Sequence, residues 1–153
     1  MSTRVVVEPR KRLDCYARPY LREGWEIVYH KQGCFPVWDP GKVGLYLSKA
    51  QREGRAIMGT LLLQELERKK IRVLNANVLD FLLAHPDLIP AEWRDGAQGK
   101  YIVSIYFWGT VYHDTAGNLC VPCFYWSDGM PEWGYSVLRD SLSILDHAAI
   151  LIA

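Results

Sequence analysis

Two cysteines with the spacing of a known chemical motif are the first candidates for chemistry in this sequence. Cys120 and Cys123 enclose a Val-Pro pair. Thiolates at this spacing can share a zinc ion, or they can cycle between dithiol and disulfide. His113 is a candidate third zinc ligand across a turn, but a structural zinc site needs four ligands. Cys15 and Cys34 lie far away in the sequence and do not supply a second pair.

The position of this cysteine pair argues against both kinds of chemistry. Residues 119–126 have the composition of a β-strand, whereas a thioredoxin-like thiol lies where a strand meets a helix. Alternation along a strand also sends Cys120 and Cys123 to opposite faces. We therefore favour two ordinary cysteines, and we expect no metal and no other cofactor. A metal-binding or thiol-redox protein centred on Cys120 and Cys123 is the alternative function.

Aromatic side chains in the last third of the chain form the second candidate site. Side chains alternate along a strand, so we expect Tyr106, Trp108 and Tyr112 to share one face. Trp126 and Trp133 follow on later strands and are candidate neighbours. The opposite face is purely apolar and is the better partner for a helical layer: Val103, Ile105, Phe107 and Val111. Exposed aromatic faces bind sugars, peptides or bases by stacking.

This aromatic face carries the leading hypothesis, a small binding or interaction protein without catalysis. We expect Trp108 to be partly accessible in an isolated subunit, or to lie in a dimer interface or a cleft. The partner would be a protein or a small ligand, and the protein could be a second copy of this chain in a homodimer. Alternatively, the N-terminal hairpin or a second subunit covers the face, because large exposed apolar patches are rare on monomers.

No other pattern selects a reaction or a nucleic acid. The sequence lacks a Ser/His/Asp order, a glycine-rich phosphate loop, HExxH and a calcium loop, so we lean away from an enzyme. Residues 1–100 have a charge balance of +5 and residues 101–153 a balance of −4. The basic residues form short clusters at 10–12 and 68–72, whereas a nucleic-acid footprint needs a broader stripe. Weak, steeply salt-dependent nucleic-acid binding is therefore the third hypothesis.

The first half of the chain predicts short strands followed by helices. Alternation predicts a half-buried strand over 25–30 and shorter strands over 4–7, 34–38 and 43–47. The next segment has helical periodicity over 49–70 and begins with the spacing of a capping box, at Ser48 and Gln51. Asn75 is a good N-cap for a second helix over 76–84. This helix has almost no polar side chains to read bases, so a DNA-binding helix-turn-helix is disfavoured.

The last third predicts an antiparallel meander. A long strand over 101–113 precedes a turn at 114–118 and a return strand over 119–126. A third strand then reaches residue 138. Residues 141–153 are ambiguous between a helix and a closing strand.

We therefore expect one α+β domain over residues 1–153. An antiparallel β-meander at about 101–138 would pack on a central helix pair at about 49–84. Hydrophobic residues make up 50% of the chain, which excludes disorder. No uncharged apolar run approaches the ~18 residues of a membrane-spanning helix.

Three stretches carry a resemblance: residues 73–83 (VLNANVLDFLL), 86–93 (PDLIPAEW) and 107–112 (FWGTVY). Here the chain resembles a group of small uncharacterised bacterial proteins. The resemblance implies a bacterial or phage origin and a cytoplasmic setting, and it brings no activity, cofactor or catalytic residue. Residues 1–8 lack a long apolar stretch, so we expect no secretory signal. In a cytoplasmic chain the four cysteines would stay reduced.

Overall fold

The computed structural model describes residues 9–94 and 103–152. Within these ranges the chain is mixed α+β, as expected. The strands are β1 Glu26–His30, β2 Val43–Tyr46, β3 Ile57–Met58, β4 Ser104–Tyr106, β5 Thr110–His113, β6 Leu119–Ser127, β7 Met130–Val137, β8 Ser141–Leu142 and β9 Asp146–Leu151. The α-helices are α1 Lys49–Arg52, α2 Gly59–Arg68 and α3 Ala76–Ala84. The strand expected over 4–7 and the start of the strand expected over 101–113 lie outside the described residues.

Strand β6 organises the main sheet because it pairs along both of its edges. Along one edge, β7 pairs antiparallel with it from Cys120 to Ser127. Along the other edge, β5 pairs with it near Cys120 and β4 pairs with it near Phe124. β5 leads outward to β1, whereas β4 leads through a parallel pairing with β9 to β2. The curled seven-stranded sheet therefore splits into two arms beside β6.

The single strand expected over 101–113 is wrong, because the chain leaves the ladder between β4 and β5. Residues 107–109 form a turn at this point. A run of aromatic and β-branched residues hides the turn in the sequence, since these residues favour strands. Side-chain parity changes across the turn, so Trp108 and Tyr112 point to opposite faces of the sheet.

The continuous helix expected over 49–70 is also wrong. α1 begins with the expected capping box, in which the Ser48 hydroxyl accepts the Gln51 N–H at 3.2 Å. It ends after one turn, and Gly54 follows with a φ of 79°, a left-handed conformation that commonly ends helices at glycine. Ile57–Met58 then pair with β8 before α2 begins. The apolar spacing skips residues 51–55 and resumes at Ile57, so the break coincides with Gly54 and a gap in the apolar pattern.

Helices α2 and α3 cover opposite faces of the sheet and do not form a pair on one side. α3 packs its apolar face against Ile105 and Phe107. α2 packs Leu62 and Leu66 against the cluster that contains Tyr106. Because successive strand residues point to opposite faces, each helix buries a different side of β4.

The N-terminal region contains one further correction. The return strand expected over 34–38 is reduced to a single bridge between Val37 and Arg12. β1 and β2 confirm the strands expected over 25–30 and 43–47. The C-terminal segment, which the sequence left ambiguous, forms the strand β9 between β4 and β2.

Residues 72–75, here called the junction segment, fill the gap between the two arms of the sheet. Toward β9, the Leu74 N–H donates to the Ala149 carbonyl at 3.0 Å. Toward β5, the Leu74 carbonyl accepts the Gly109 N–H at 2.9 Å. Buried backbone groups need partners, and the junction segment supplies them where the sheet splits.

Two glycines allow the junction segment to approach this closely. The Asn75 N–H donates to the Gly33 carbonyl at 3.1 Å. A Cβ on Gly33 would lie 2.4 Å from the Val73 oxygen, and a Cβ on Gly109 would lie 2.9 Å from the Leu74 oxygen. Real Cβ atoms do not approach backbone atoms this closely, so both positions need glycine.

We expect Gly109→Ala to destabilise the fold by about 1–3 kcal/mol, because the added methyl group overpacks a site bounded by backbone atoms. Gly44→Ala is the matched control, since its Cβ would meet at 3.1 Å the side chain of Ile152, which is exposed and can move. Urea titrations of both variants give the free energies of unfolding. Equal losses would show that the junction segment tolerates a side chain at position 109.

Candidate functional site

Three polar side chains have the arrangement nearest to a catalytic triad. The Asn77 Nδ2 donates to the Ala17 carbonyl at 2.8 Å, which leaves its Oδ1 as an acceptor. The His30 Nε2 lies 2.7 Å from this Oδ1 and is therefore the protonated nitrogen. The His30 Nδ1 then accepts the Thr110 hydroxyl proton at 2.7 Å. The Thr110 oxygen in turn accepts the Ala76 N–H at 2.9 Å.

This His30 network is structural. Thr110 is fully buried and Asn77 is 5% exposed, so the hydroxyl is closed to a substrate. The hydroxyl is also satisfied on both sides, as donor and as acceptor. The network fastens the first turn of α3 to β1 and β5. The sequence carried no signal for it, because its members come from three distant segments.

Thr110→Val should lower the free energy of unfolding by about 2–4 kcal/mol, because it leaves two buried groups, the Ala76 N–H and the His30 Nδ1, without partners. Thr110→Ser keeps the hydroxyl and should cost only about 1 kcal/mol, from the lost methyl group. Chemical denaturation of the two variants makes the comparison. If Thr110→Val lowered the free energy of unfolding no more than Thr110→Ser, the Thr110 hydrogen bonds would not be the interactions that hold α3 in place.

Cys120 and Cys123 lie on opposite faces of β6, as their spacing predicts. Cys120 packs against Tyr112, whereas Cys123 belongs to the cluster under α2. Burial raises the pKa of Cys120 to about 11 and the pKa of Cys123 to about 12. His113 follows Tyr112 in β5 and so points away from Cys120. Among residues 9–94 and 103–152, no three His, Cys, Asp or Glu side chains are grouped to hold a metal ion.

Cys15 and Cys34 are joined in a disulfide. The expectation that all four cysteines are reduced is therefore wrong. Pairing cannot be deduced from cysteine positions alone, and a separation of 19 residues carried no signal. The bond ties the segment before β1 to the turn after it.

The two cysteine pairs should react differently with thiol reagents. In denaturant we expect two alkylated cysteines per chain without reductant and four after reduction. In the native protein neither Cys120 nor Cys123 should react at neutral pH, because raised pKa values keep the buried thiols protonated up to about pH 11. Mass spectrometry after iodoacetamide treatment counts the adducts. Four adducts in unreduced denatured protein would contradict the disulfide.

The structure buries most of the expected aromatic face. Tyr106, Trp108 and Tyr112 are 4%, 1% and 0% exposed, so the expected accessibility of Trp108 is wrong. α2 covers the first two, and the Tyr112 hydroxyl donates to the Tyr20 carbonyl at 2.9 Å. The parity change at residues 107–109 is the physical reason, because it divides these side chains between two covered faces. Trp108 nevertheless lines a cavity of about 290 Å³ beside α2.

Trp126 and Trp133 are both partly buried but have different surroundings. The Trp126 indole N–H donates to the Trp93 carbonyl at 2.9 Å, and the Arg94 guanidinium lies 5.6 Å from its ring. Trp126 therefore anchors the short helical turn Ala91–Trp93. Trp133 instead borders an open pocket.

Five side chains around Trp133 form what we call the aromatic–arginine surface: Tyr20, Arg22, Trp25, Trp133 and Tyr135. The Arg22 guanidinium lies 5.6, 4.9 and 5.1 Å from the ring centroids of Trp25, Trp133 and Tyr135, respectively. Tyr20 meets Trp133 edge-on at 5.1 Å. In the described part of the chain, Arg22 has no carboxylate at ion-pair distance.

A tight turn brings Arg22 onto these rings. The Trp25 N–H donates to the Arg22 carbonyl at 3.0 Å, and Gly24 has a φ of 81°. Glycine adopts this left-handed conformation without steric cost. Trp133 and Tyr135 alternate along β7 and so share a face. The turn thus supplies the cation and the sheet supplies the platform.

The pocket beside this surface has a volume of about 320 Å³ and is lined by Tyr20, Asp80, Leu83 and Trp133. The Asp80 carboxylate accepts the Tyr20 N–H at 2.8 Å. Burial raises the pKa of Asp80, and this hydrogen bond partly opposes the shift. The Trp133 Nε1 is buried and has no acceptor within the described residues.

The predicted binding residues did not include six members of this surface and its pocket: Tyr20, Arg22, Trp25, Asp80, Leu83 and Tyr135. Tyr20 and Arg22 occur in a stretch without periodicity, although an arginine three positions before Trp25 and next to a glycine turn was a usable signal. Asp80 and Leu83 are three positions apart on α3 and therefore share a helix face. The sequence shows this spacing on the helix. It does not show that Trp133 packs beside Asp80 and Leu83 to form the pocket.

Comparisons with known proteins assign nothing to this chain. No protein-family model matches it, and no curated protein or solved structure matches it significantly. Among the residues that the structure describes, no helix has the length and apolar character needed to cross a bilayer. The geometry of the aromatic–arginine surface is therefore the evidence for a function.

Proposed function

We propose that this protein is a non-catalytic interaction module that binds a segment of another protein at the aromatic–arginine surface. The observation that carries the proposal is the Arg22 guanidinium, held over three aromatic rings beside an open pocket. Tryptophan, tyrosine and arginine are the residues that dominate binding energy at protein interfaces.

Arg22 selects the charge of the partner. Cation–π contacts with three aromatic rings stabilise the guanidinium and hold it in place. Its N–H groups form a rigid fork that matches the two oxygens of a carboxylate. Because no described carboxylate occupies this fork, an Asp or Glu side chain of the partner is the group that fits it.

The neighbouring pocket selects an apolar side chain. Tyr20, Leu83 and Trp133 supply a largely apolar lining. Tyr20 is 50% exposed and Tyr135 is 38% exposed, so both rings offer area that a partner can bury. Tyrosine loses little conformational entropy when it is buried in this way. The partner segment would therefore carry an apolar residue close to an acidic one.

Other functions have less support. The His30 network is closed to substrate, and Cys120 and Cys123 do not share a site, so neither supports an enzyme or a redox protein. No described contact favours nucleic acid. The Cys15–Cys34 disulfide is more typical of proteins in oxidising compartments than of cytoplasmic proteins, so the proposal includes no cytoplasmic location.

A displayed library of random peptides tests this proposal. We expect selection on the wild-type protein to enrich peptides that place an aromatic or aliphatic residue next to Asp or Glu. Arg22→Ala should weaken the binding of an enriched peptide at least about tenfold, equivalent to about 1.4 kcal/mol. Arg22→Lys should also weaken it, since an ammonium lacks the planar fork. Fluorescence anisotropy with labelled peptide measures the affinities.

Arg52→Ala is the matched control, because Arg52 is an exposed arginine on α1. Its peptide affinity should equal that of the wild type. Enriched peptides without acidic residues, or equal affinities for the wild type and Arg22→Ala, would overturn the proposal. A dimer in sedimentation that Arg22→Ala dissociates would show instead that a second copy occupies the surface.

A further inference from the structure

We propose a second, separate binding site: the cavity under α2 takes a small monocarboxylate with an apolar body, such as a medium-chain fatty acid. The cavity has a volume of about 290 Å³, near the lower end for small-molecule sites. Its lining combines side chains of α2 and the residues after it with Lys31 and Trp108. Nothing in this inference depends on the aromatic–arginine surface.

The buried indole N–H of Trp108 is the first observation that supports a ligand site in this cavity. Trp108 is 1% exposed, and its Nε1 has no acceptor among the described residues. A buried donor without a partner destabilises the structure relative to a paired one. Trp108 lines the cavity, and we infer that a ligand oxygen there accepts this hydrogen bond once neighbouring side chains shift to uncover the Nε1. Indole N–H groups only donate, so the ligand must supply an acceptor.

The charges around the cavity favour an anion. Two lysines, Lys31 and Lys70, line the cavity with one acid, Glu67. The Lys31 Nζ lies 3.5 Å from a Glu67 oxygen, which leaves Lys70 as the cation without an ion pair in the described chain. A carboxylate is therefore attracted, whereas an ammonium group is repelled.

The remaining residues that line the cavity are apolar, so the part of the ligand beyond its carboxylate is expected to be apolar too. Leu63, Leu66, Ile71 and Val73 supply aliphatic surface around the Trp108 ring. Burial of a hydrocarbon chain against such surface is favourable because it removes apolar area from water. A free phosphate or another small inorganic anion would leave this surface unused. The ligand therefore combines one carboxylate with a short aliphatic or aromatic body.

Three probes with the same chain separate the two contributions: octanoate, 1-octanol and octylammonium. In ¹⁵N-labelled protein, octanoate should shift the Trp108 indole resonance saturably, and the loss of that resonance in Trp108→Phe assigns it among the six tryptophans. Octanol should bind more weakly, and octylammonium more weakly still. The titration is made on the wild-type protein, so it stands even if Trp108→Phe fails to fold.

Charge variants complete the test. Lys70→Gln should weaken octanoate binding about threefold and leave octanol binding unchanged. Lys69→Gln is the matched control, because the neighbouring Lys69 does not line the cavity and its Nζ contacts the Tyr46 hydroxyl. Arg22→Ala should leave the octanoate titration unchanged. Absence of a Trp108 shift with octanoate, equal binding of octanoate and octylammonium, or equal effects of the two lysine variants would each overturn the proposal.

Discussion

The fold depends on backbone hydrogen bonding at the point where its main sheet splits. β6 holds β4 and β5 on one edge, and these two strands lead into different arms of the sheet. Between the arms, buried N–H and carbonyl groups would lack partners, which costs free energy for each group. The junction segment pairs with both arms and continues directly into α3. Gly33 and Gly109 leave the room for it, so a local absence of side chains makes the global arrangement possible.

The same split explains why both faces of the sheet are covered. Each face of the sheet is covered by one helix and its own apolar cluster. Along β4 and the turn after it, Ile105 and Phe107 point to one face and Tyr106 and Trp108 to the other. All four side chains are large and hydrophobic, but only Tyr106 and Trp108 carry a polar atom. The Tyr106 hydroxyl is paired with Ser136 at 2.7 Å, whereas the Trp108 N–H is not paired within the described chain. This difference distinguishes a cavity wall from an ordinary core position.

Local features of the chain could be predicted, and long-range features could not. The capping box at Ser48 and the N-cap at Asn75 depend on neighbouring residues, and both are present. The helical spacing that resumes at Ile57 favoured one continuous helix, although Gly54 and the absence of apolar residues over 51–55 were local signs of the break. The parallel pairing of β4 with β9 joins residues some forty positions apart, as in Ser104 with Asp146, and no local pattern encodes it.

The candidate site was predicted only through Trp133, for the same reason. An aromatic run in a strand indicates that rings are present, but it does not indicate which of them the helices cover. Trp108 and Tyr112 share a parity in sequence, and one turn between them was enough to separate their faces. Arg22 belongs to a segment without periodicity, and its function depends on rings that lie more than a hundred positions later in the chain.

The Cys15–Cys34 disulfide closes a covalent ring that contains Tyr20, Arg22 and Trp25. Cross-linking a loop of this size removes freedom from the unfolded chain worth about 3 kcal/mol in the chain-entropy description. The segment that carries the stacked guanidinium is therefore restricted before any partner arrives. Association then loses less conformational entropy, since binding energy is not spent on ordering the loop. For the proposed interaction, the disulfide would therefore pre-organise the binding surface, and its reduction would raise the entropic cost of binding without removing a contact residue.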